Sequence, residues 1–77
     1  MEARFAHIKV GDTVIRLLAG TVPMLIKVFE ITNGIIKCRV PEIGEDYWQF
    51  DVVTGAEIDP DLNWGPPPMF TGSFLVP

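Results

Sequence analysis

The stretch MLIKVFEITNGIIKCRV, residues 24–40, decides the fold. At its middle stands Asn33-Gly34, two residues that tolerate positive φ, as a tight two-residue hairpin requires. The flanking runs are rich in Val, Ile and Phe, which suit a pleated strand. In IIKCRV (35–40), Ile36, Cys38 and Val40 fall on one face, and Lys37 and Arg39 on the other. MLIKVFEI (24–31) is apolar on both faces apart from Lys27 and Glu30, which predicts a strand lying centrally in a curved sheet. The stretch reads as an antiparallel hairpin.

Outward from this hairpin, Gly and Pro punctuate the chain at short intervals, and no apolar stripe at helical spacing is sustained. On the N-terminal side, KVGD (9–12) reads as a turn, TVIRLLA (13–19) as a long first strand and GTVP (20–23) as the break that ends it. On the C-terminal side, PEIGED (41–46) reads as a polar loop. YWQFDVV (47–53) is a strand with Trp48, Phe50 and Val52 on one face and Tyr47, Gln49 and Asp51 on the other. TGAEID (54–59) turns at Gly55 and leads into a short fifth strand. PDLNWGPPPM (60–69) is irregular, because consecutive prolines lack ladder donors and favour polyproline II. FTGSFLV (70–76) reads as a terminal strand, paired in its own barrel or with another chain.

These elements predict an all-β fold: a small SH3-like antiparallel barrel of five or six short strands, with a proline-rich C-terminal segment, as one domain over residues 1–77. Closing the sheet removes edges that so small a sheet can hardly hide. The expected core is Val14, Ile26, Val28, Ile36, Cys38, Trp48 and Phe50.

VGDTVIRLLAG followed by Pro23-Met24, a strand, a turn and a Cys-containing strand resembles the small bacterial YodC-like domains of unknown function. Gly11, Asp12, Val14, Gly20, Pro23, Met24 and Cys38 carry the resemblance, which covers about residues 8–40. More loosely, the stretch is similar to KOW and other SH3-like barrels. The resemblance implies a fold and no activity. After Val40 the chain departs from it, with YWQFDVVTGAEIDPDLNWG longer than such domains carry.

Composition limits the function. With 77 residues, 48% of them apolar, the chain suits one compact core. Its lone cysteine, Cys38, cannot close an internal disulfide, which fits a reducing compartment. MEARFAHIKVGD lacks a secretory h-region and no stretch has the ~20 apolar residues of a membrane span, so the expectation is a cytoplasmic protein away from membranes. The net charge is −4, unevenly placed. All six Lys and Arg lie within residues 1–39, and seven acids follow Val40 with no cation among them.

An enzyme is not expected, and no cofactor. His7 is the only histidine, and Cys38 has no base beside it in sequence and suits a core position. Glu57, Asp59 and Asp61 alternate along what would be extended chain, and could together hold a hard cation such as calcium. The competing reading is turn chemistry: Asp51 capping the Thr54-Gly55 turn, and Asp59 and Asp61 doing the same around Pro60. A nucleic-acid-binding barrel would use Lys27, Lys37 and Arg39, with Arg16 adjacent and Tyr47 or Trp64 as stacking surface. The sequence pI of about 4.6 stands against it.

The favoured function is a protein-interaction module or small subunit of a larger assembly, as a monomer or homodimer with an unknown protein partner. Its surface would comprise Tyr47, Trp64, Pro66, Pro67, Met69 and Phe70, aromatic and Met anchors on a stiff backbone. Within the fold, Trp64 is expected to lid one open end of the barrel. Truncation after Pro60 is expected to abolish partner binding and leave a folded barrel.

Overall fold

The computed structural model describes residues 5–40 and 46–76; most of the polar loop expected at 41–46 lies outside them. The fold is all-β, an antiparallel, nearly closed six-stranded barrel of the small SH3-like kind. The strands are β1 (Thr13–Leu18), β2 (Val22–Thr32), β3 (Ile35–Arg39), β4 (Trp48–Asp51), β5 (Glu57–Ile58) and β6 (Ser73–Val76). They lie in the order β5-β4-β3-β2-β1-β6. The seam between the two ends is joined at the Gly55–Ala56 corner, where Leu75 N–H donates to the Gly55 carbonyl at 2.8 Å and Ala56 bridges Phe74.

β2 holds the barrel together. Its first half pairs with β1, from Leu18↔Val22 to Thr13↔Lys27, and its second half pairs with β3, from Lys27↔Arg39 to Thr32↔Ile35. A register shift between Val28 and Glu30 makes Phe29 the extra residue of a bulge, and such bulges bend a strand and increase its twist. The hairpin at Asn33-Gly34 forms with both residues at positive φ, 51° and 76°. A second turn of the same sign stands at Ala19-Gly20, with φ of 54° and 74°. The expected break at 20–23 is therefore shorter: the turn ends at Thr21, and Val22 and Pro23 already belong to β2. There β2 has a described strand neighbour on one side only, and an edge position accepts proline, whose missing N–H can face away from the ladder.

The alternation places Val14, Ile26, Val28, Ile36, Cys38 and Phe50 inside, all buried as expected. Trp48 packs against this core but stays half-buried. Phe5, Ile8 and Leu75 complete the cluster. Phe5 is 1% exposed, and its N–H donates to the Val52 carbonyl at 3.2 Å, so the segment before β1 plugs the barrel. β6 pairs with β1 of its own barrel, from Leu18↔Ser73 to Ile15↔Val76. Truncation after Pro60 would remove this strand and Leu75 from the core. No helix among the described residues is long and apolar enough to cross a membrane.

Candidate functional site

The residues singled out in the sequence separate into three places. The first is inside the barrel. Glu57 points inward opposite Phe50, is 2% exposed, and accepts a hydrogen bond from Arg16 Nε at 2.8 Å. The Arg16 guanidinium lies 4.7 Å from the centroid of the Trp48 ring, and its Nη1 approaches Met24 Sδ at 3.7 Å. A buried carboxylate needs this partner, because desolvation of a lone charge is costly. Arg16 is thus no part of an external basic strip. The buried guanidinium covers one face of the Trp48 indole.

The acidic run is built as turn chemistry. Asp51 Oδ2 accepts from Val53 N–H, Thr54 N–H and Thr54 Oγ1 at 3.1, 2.9 and 3.1 Å. Asp59 Oδ1 accepts from Asp61 N–H at 3.0 Å, capping a single 3₁₀ turn at Pro60–Leu62. Glu57, Asp59 and Asp61 are not gathered as ligands. Glu57 faces the core toward Arg16, Asp59 is spent on the cap, and no group of three potential metal-binding side chains occurs among the described residues.

The second place is the loop that follows. Asp59 and Trp64 exchange backbone hydrogen bonds, with Asp59 N–H to Trp64 O at 3.1 Å and Trp64 N–H to Asp59 O at 2.9 Å. Gly65 N–H donates to Phe70 O at 3.1 Å, and Met69 N–H to Pro66 O at 3.0 Å. The proline run is therefore a closed turn, not the extended polyproline II segment expected. Thr71 Oγ1 lies 3.0 Å from the Glu57 carbonyl and 2.9 Å from that of Ser73, fastening the loop to the seam. The Trp64 indole lies on the backbone of Gly72, where a Cβ would meet its Cζ2 at 2.6 Å. Trp64 serves as a wall. Phe70, by contrast, is 74% exposed and Met69 50%. Between Trp64, Phe70, Gly72 and Phe74 on one side and the Leu18–Gly20 turn on the other runs a mostly apolar groove of about 490 Å³.

The third place is the outer face of β2–β3–β4. Lys27 and Arg39 are direct cross-strand partners, and so are Glu30 and Lys37. The bulge turns Phe29 outward beneath Arg39, whose guanidinium is 4.5 Å from the ring centroid. Tyr47 meets Phe29 edge-on with centroids 5.5 Å apart, and Lys37 Nζ stands 5.7 Å from the Tyr47 centroid. Lys37 also pairs with Glu30 at 3.3 Å. Tyr47 thus groups with the cations and is not among the residues lining the groove at Trp64 and Phe70.

Cys38 is fully buried, and burial pushes its thiol up to about 12, which makes it a poor nucleophile. No protein-family model, curated protein or solved structure matches this chain.

Reading the sequence alone missed the Arg16–Glu57 pair and the Leu18–Gly20 side of the groove. The first had a signal: Arg16 sits at an inward position of TVIRLL, in step with Val14. The second had none, because those residues are far from Trp64 in sequence.

Proposed function

We propose that this chain is a non-catalytic, cytoplasmic protein-interaction barrel of YodC-like type, acting as a small subunit of a larger assembly. The observation that supports it is the groove beside Phe70. A side chain that is 74% exposed and aromatic sits on a loop tied by four backbone hydrogen bonds, one each between Gly65 and Phe70 and between Met69 and Pro66, and two between Trp64 and Asp59. A rigidly presented aromatic costs little ordering entropy on binding, which is how interface anchors work. The partner would place an apolar side chain in the groove between Phe70, Trp64 and Leu18.

The test is photo-crosslinking. The full chain carrying a photoreactive phenylalanine at Phe70 should give a discrete protein adduct in its host, and the same group at Asn33 should not. Phe70→Ser in a folded chain should abolish co-purification of that protein. Equal adducts from both positions, or none from Phe70, would remove the reading.

A second reading is favoured by the pairing of Lys27 with Arg39 beside Phe29 and Tyr47. Cations interleaved with aromatics are what a single nucleic-acid strand meets on a stacking platform. Binding to a short labelled oligonucleotide that weakens steeply with salt, and is lost in Arg39→Ala, would establish it. Absence of binding at low salt would exclude it.

A further inference from the structure

Two depressions of opposite character border the loop that presents Phe70. One is the apolar groove walled by Trp64, Phe70 and Leu18. The other is smaller and polar, about 260 Å³, lined among others by Tyr47, Gln49, Asp59 and Asp61. Asp59 lines the polar depression and Trp64 the apolar groove, and the two are direct antiparallel partners that exchange both backbone hydrogen bonds. Such partners lie ~5.5 Å apart at Cα and carry their side chains on the same face. A carboxylate and an indole wall are thus neighbours where the two depressions meet. The cap of the 3₁₀ turn uses only Asp59 Oδ1, and neither Asp59 nor Asp61 has a cationic partner among the described residues.

Resting on the assignment of the groove as the contact surface, we infer that the partner presents a basic, apolar segment. An aliphatic or aromatic side chain enters the groove, and a Lys or Arg about two residues away meets Asp59 and Asp61. The spacing follows from extended chain, which rises ~3.3 Å per residue and returns to the same face at every second residue. The charge follows from the surroundings. From Val40 onward the chain has seven acids and no Lys, Arg or His. Exposed Asp46 adjoins Tyr47 at the polar depression. Glu57, which also lines it, is answered by Arg16 inside the barrel. The cations that come near are engaged: Lys37 Nζ stands 5.7 Å from the Tyr47 centroid but pairs with Glu30 at 3.3 Å, and Arg39 lies over Phe29, one ring removed from Tyr47. An acidic partner would meet uncompensated carboxylates here. A purely apolar one would cover Asp59 and Asp61 without supplying a counter-charge, at a cost in desolvation. A basic segment supplies that charge, and the chain's net charge of −4 steers it in.

A random peptide library displayed on phage, selected on the immobilised full chain and counter-selected on its Phe70→Ser variant, tests this. The recovered peptides should carry Lys or Arg about two residues from a Leu, Ile, Phe or Trp. They should bind the full chain more weakly as salt is raised. They should lose about tenfold in affinity when Asp59→Asn and Asp61→Asn are combined, and bind Arg39→Ala unchanged. Asparagine keeps the acceptor that caps the turn, so the double variant removes charge and spares the cap, and the salt series on the unmodified chain reads the same charge independently. Peptides without a basic residue, an affinity indifferent to salt, or an unchanged affinity in the double variant would overturn the basic partner and leave the groove reading standing. No enrichment, or peptides that bind Phe70→Ser equally well, would remove the groove reading and the basic partner with it.

Discussion

Arg16 and Glu57 meet inside the barrel with Nε and Oε1 2.8 Å apart, from positions 41 residues apart in the chain. The contact reaches across the barrel, since Glu57 is on the end strand β5 and Arg16 on β1, the neighbour of the other end strand β6. Both side chains are removed from water, at 8% and 2% exposure. Losing one partner leaves the other as an uncompensated buried charge, whereas replacing both by apolar groups leaves none. Arg16→Met alone is expected to cost about 3–5 kcal/mol, and Arg16→Met with Glu57→Leu much less than the sum of the two singles. Urea unfolding of the two singles and the double checks this, and additive losses would show that the pair is not coupled.

Gly55 is the tightest of the glycines. Its φ is +79°, and a Cβ there would meet the Phe5 ring at 2.5 Å. Gly55→Ala combines a left-handed alanine with overpacking against the plug, a loss on the order of 3 kcal/mol. Adding Phe5→Leu should recover part of it, because the clash is with the far edge of that ring. A double-mutant cycle by thermal unfolding measures the recovery.

Ala19 works the other way. It holds φ of +54° in the turn between β1 and β2, a conformation that costs an L-residue roughly 1–2 kcal/mol. Ala19→Gly removes that strain and is expected to stabilise the fold by about 0.5–1 kcal/mol after the added flexibility of the unfolded chain. The urea midpoint should rise with an unchanged slope. The adjoining Gly20, at +74°, should tolerate no such exchange in reverse.

Cys38 makes a pH prediction. Burial raises the thiol from 9.0 to about 12 in the folded chain. Above pH 9 the unfolded state gives up this proton while the folded state keeps it, so fewer protons are bound in the unfolded state and stability falls as pH rises. The contribution is flat below the unfolded value and declines between pH 9 and 12 by up to about 1.4 kcal/mol per unit. Cys38→Ala should flatten that decline. In the folded protein at pH 8 the thiol should resist iodoacetamide and react only on unfolding.

Much of the fold was legible because strand faces and turns are local matters. Alternation over 35–40 placed Ile36 and Cys38 inside, and Asn33-Gly34 specified its turn through positive φ alone. Asp51 and Asp59 could be assigned to turns for the same reason, since their acceptors reach N–H groups two or three residues on. Ala19-Gly20 was not legible, because alanine rarely takes a left-handed conformation and the sequence gives no sign of it. Pro23 reads as a break in the sequence, because the sequence does not show that β2 lacks a second neighbour there.

The sequence by itself determined the class of the fold, the hairpin and most of the core, because periodicity and turn chemistry act over a few residues. Tertiary structure alone decided what the polar and exposed residues are for. It turned Glu57 from a member of an acidic run into the partner of Arg16, because burial leaves a carboxylate no other stable arrangement. It set Tyr47 against Phe29 and Lys37 rather than in the groove beside Trp64. It closed the proline run into a turn that presents Phe70, and it set six apolar side chains side by side on the outside of β6–β1–β2. That last placement joins residues about 60 positions apart, a distance over which no local pattern in the chain can speak.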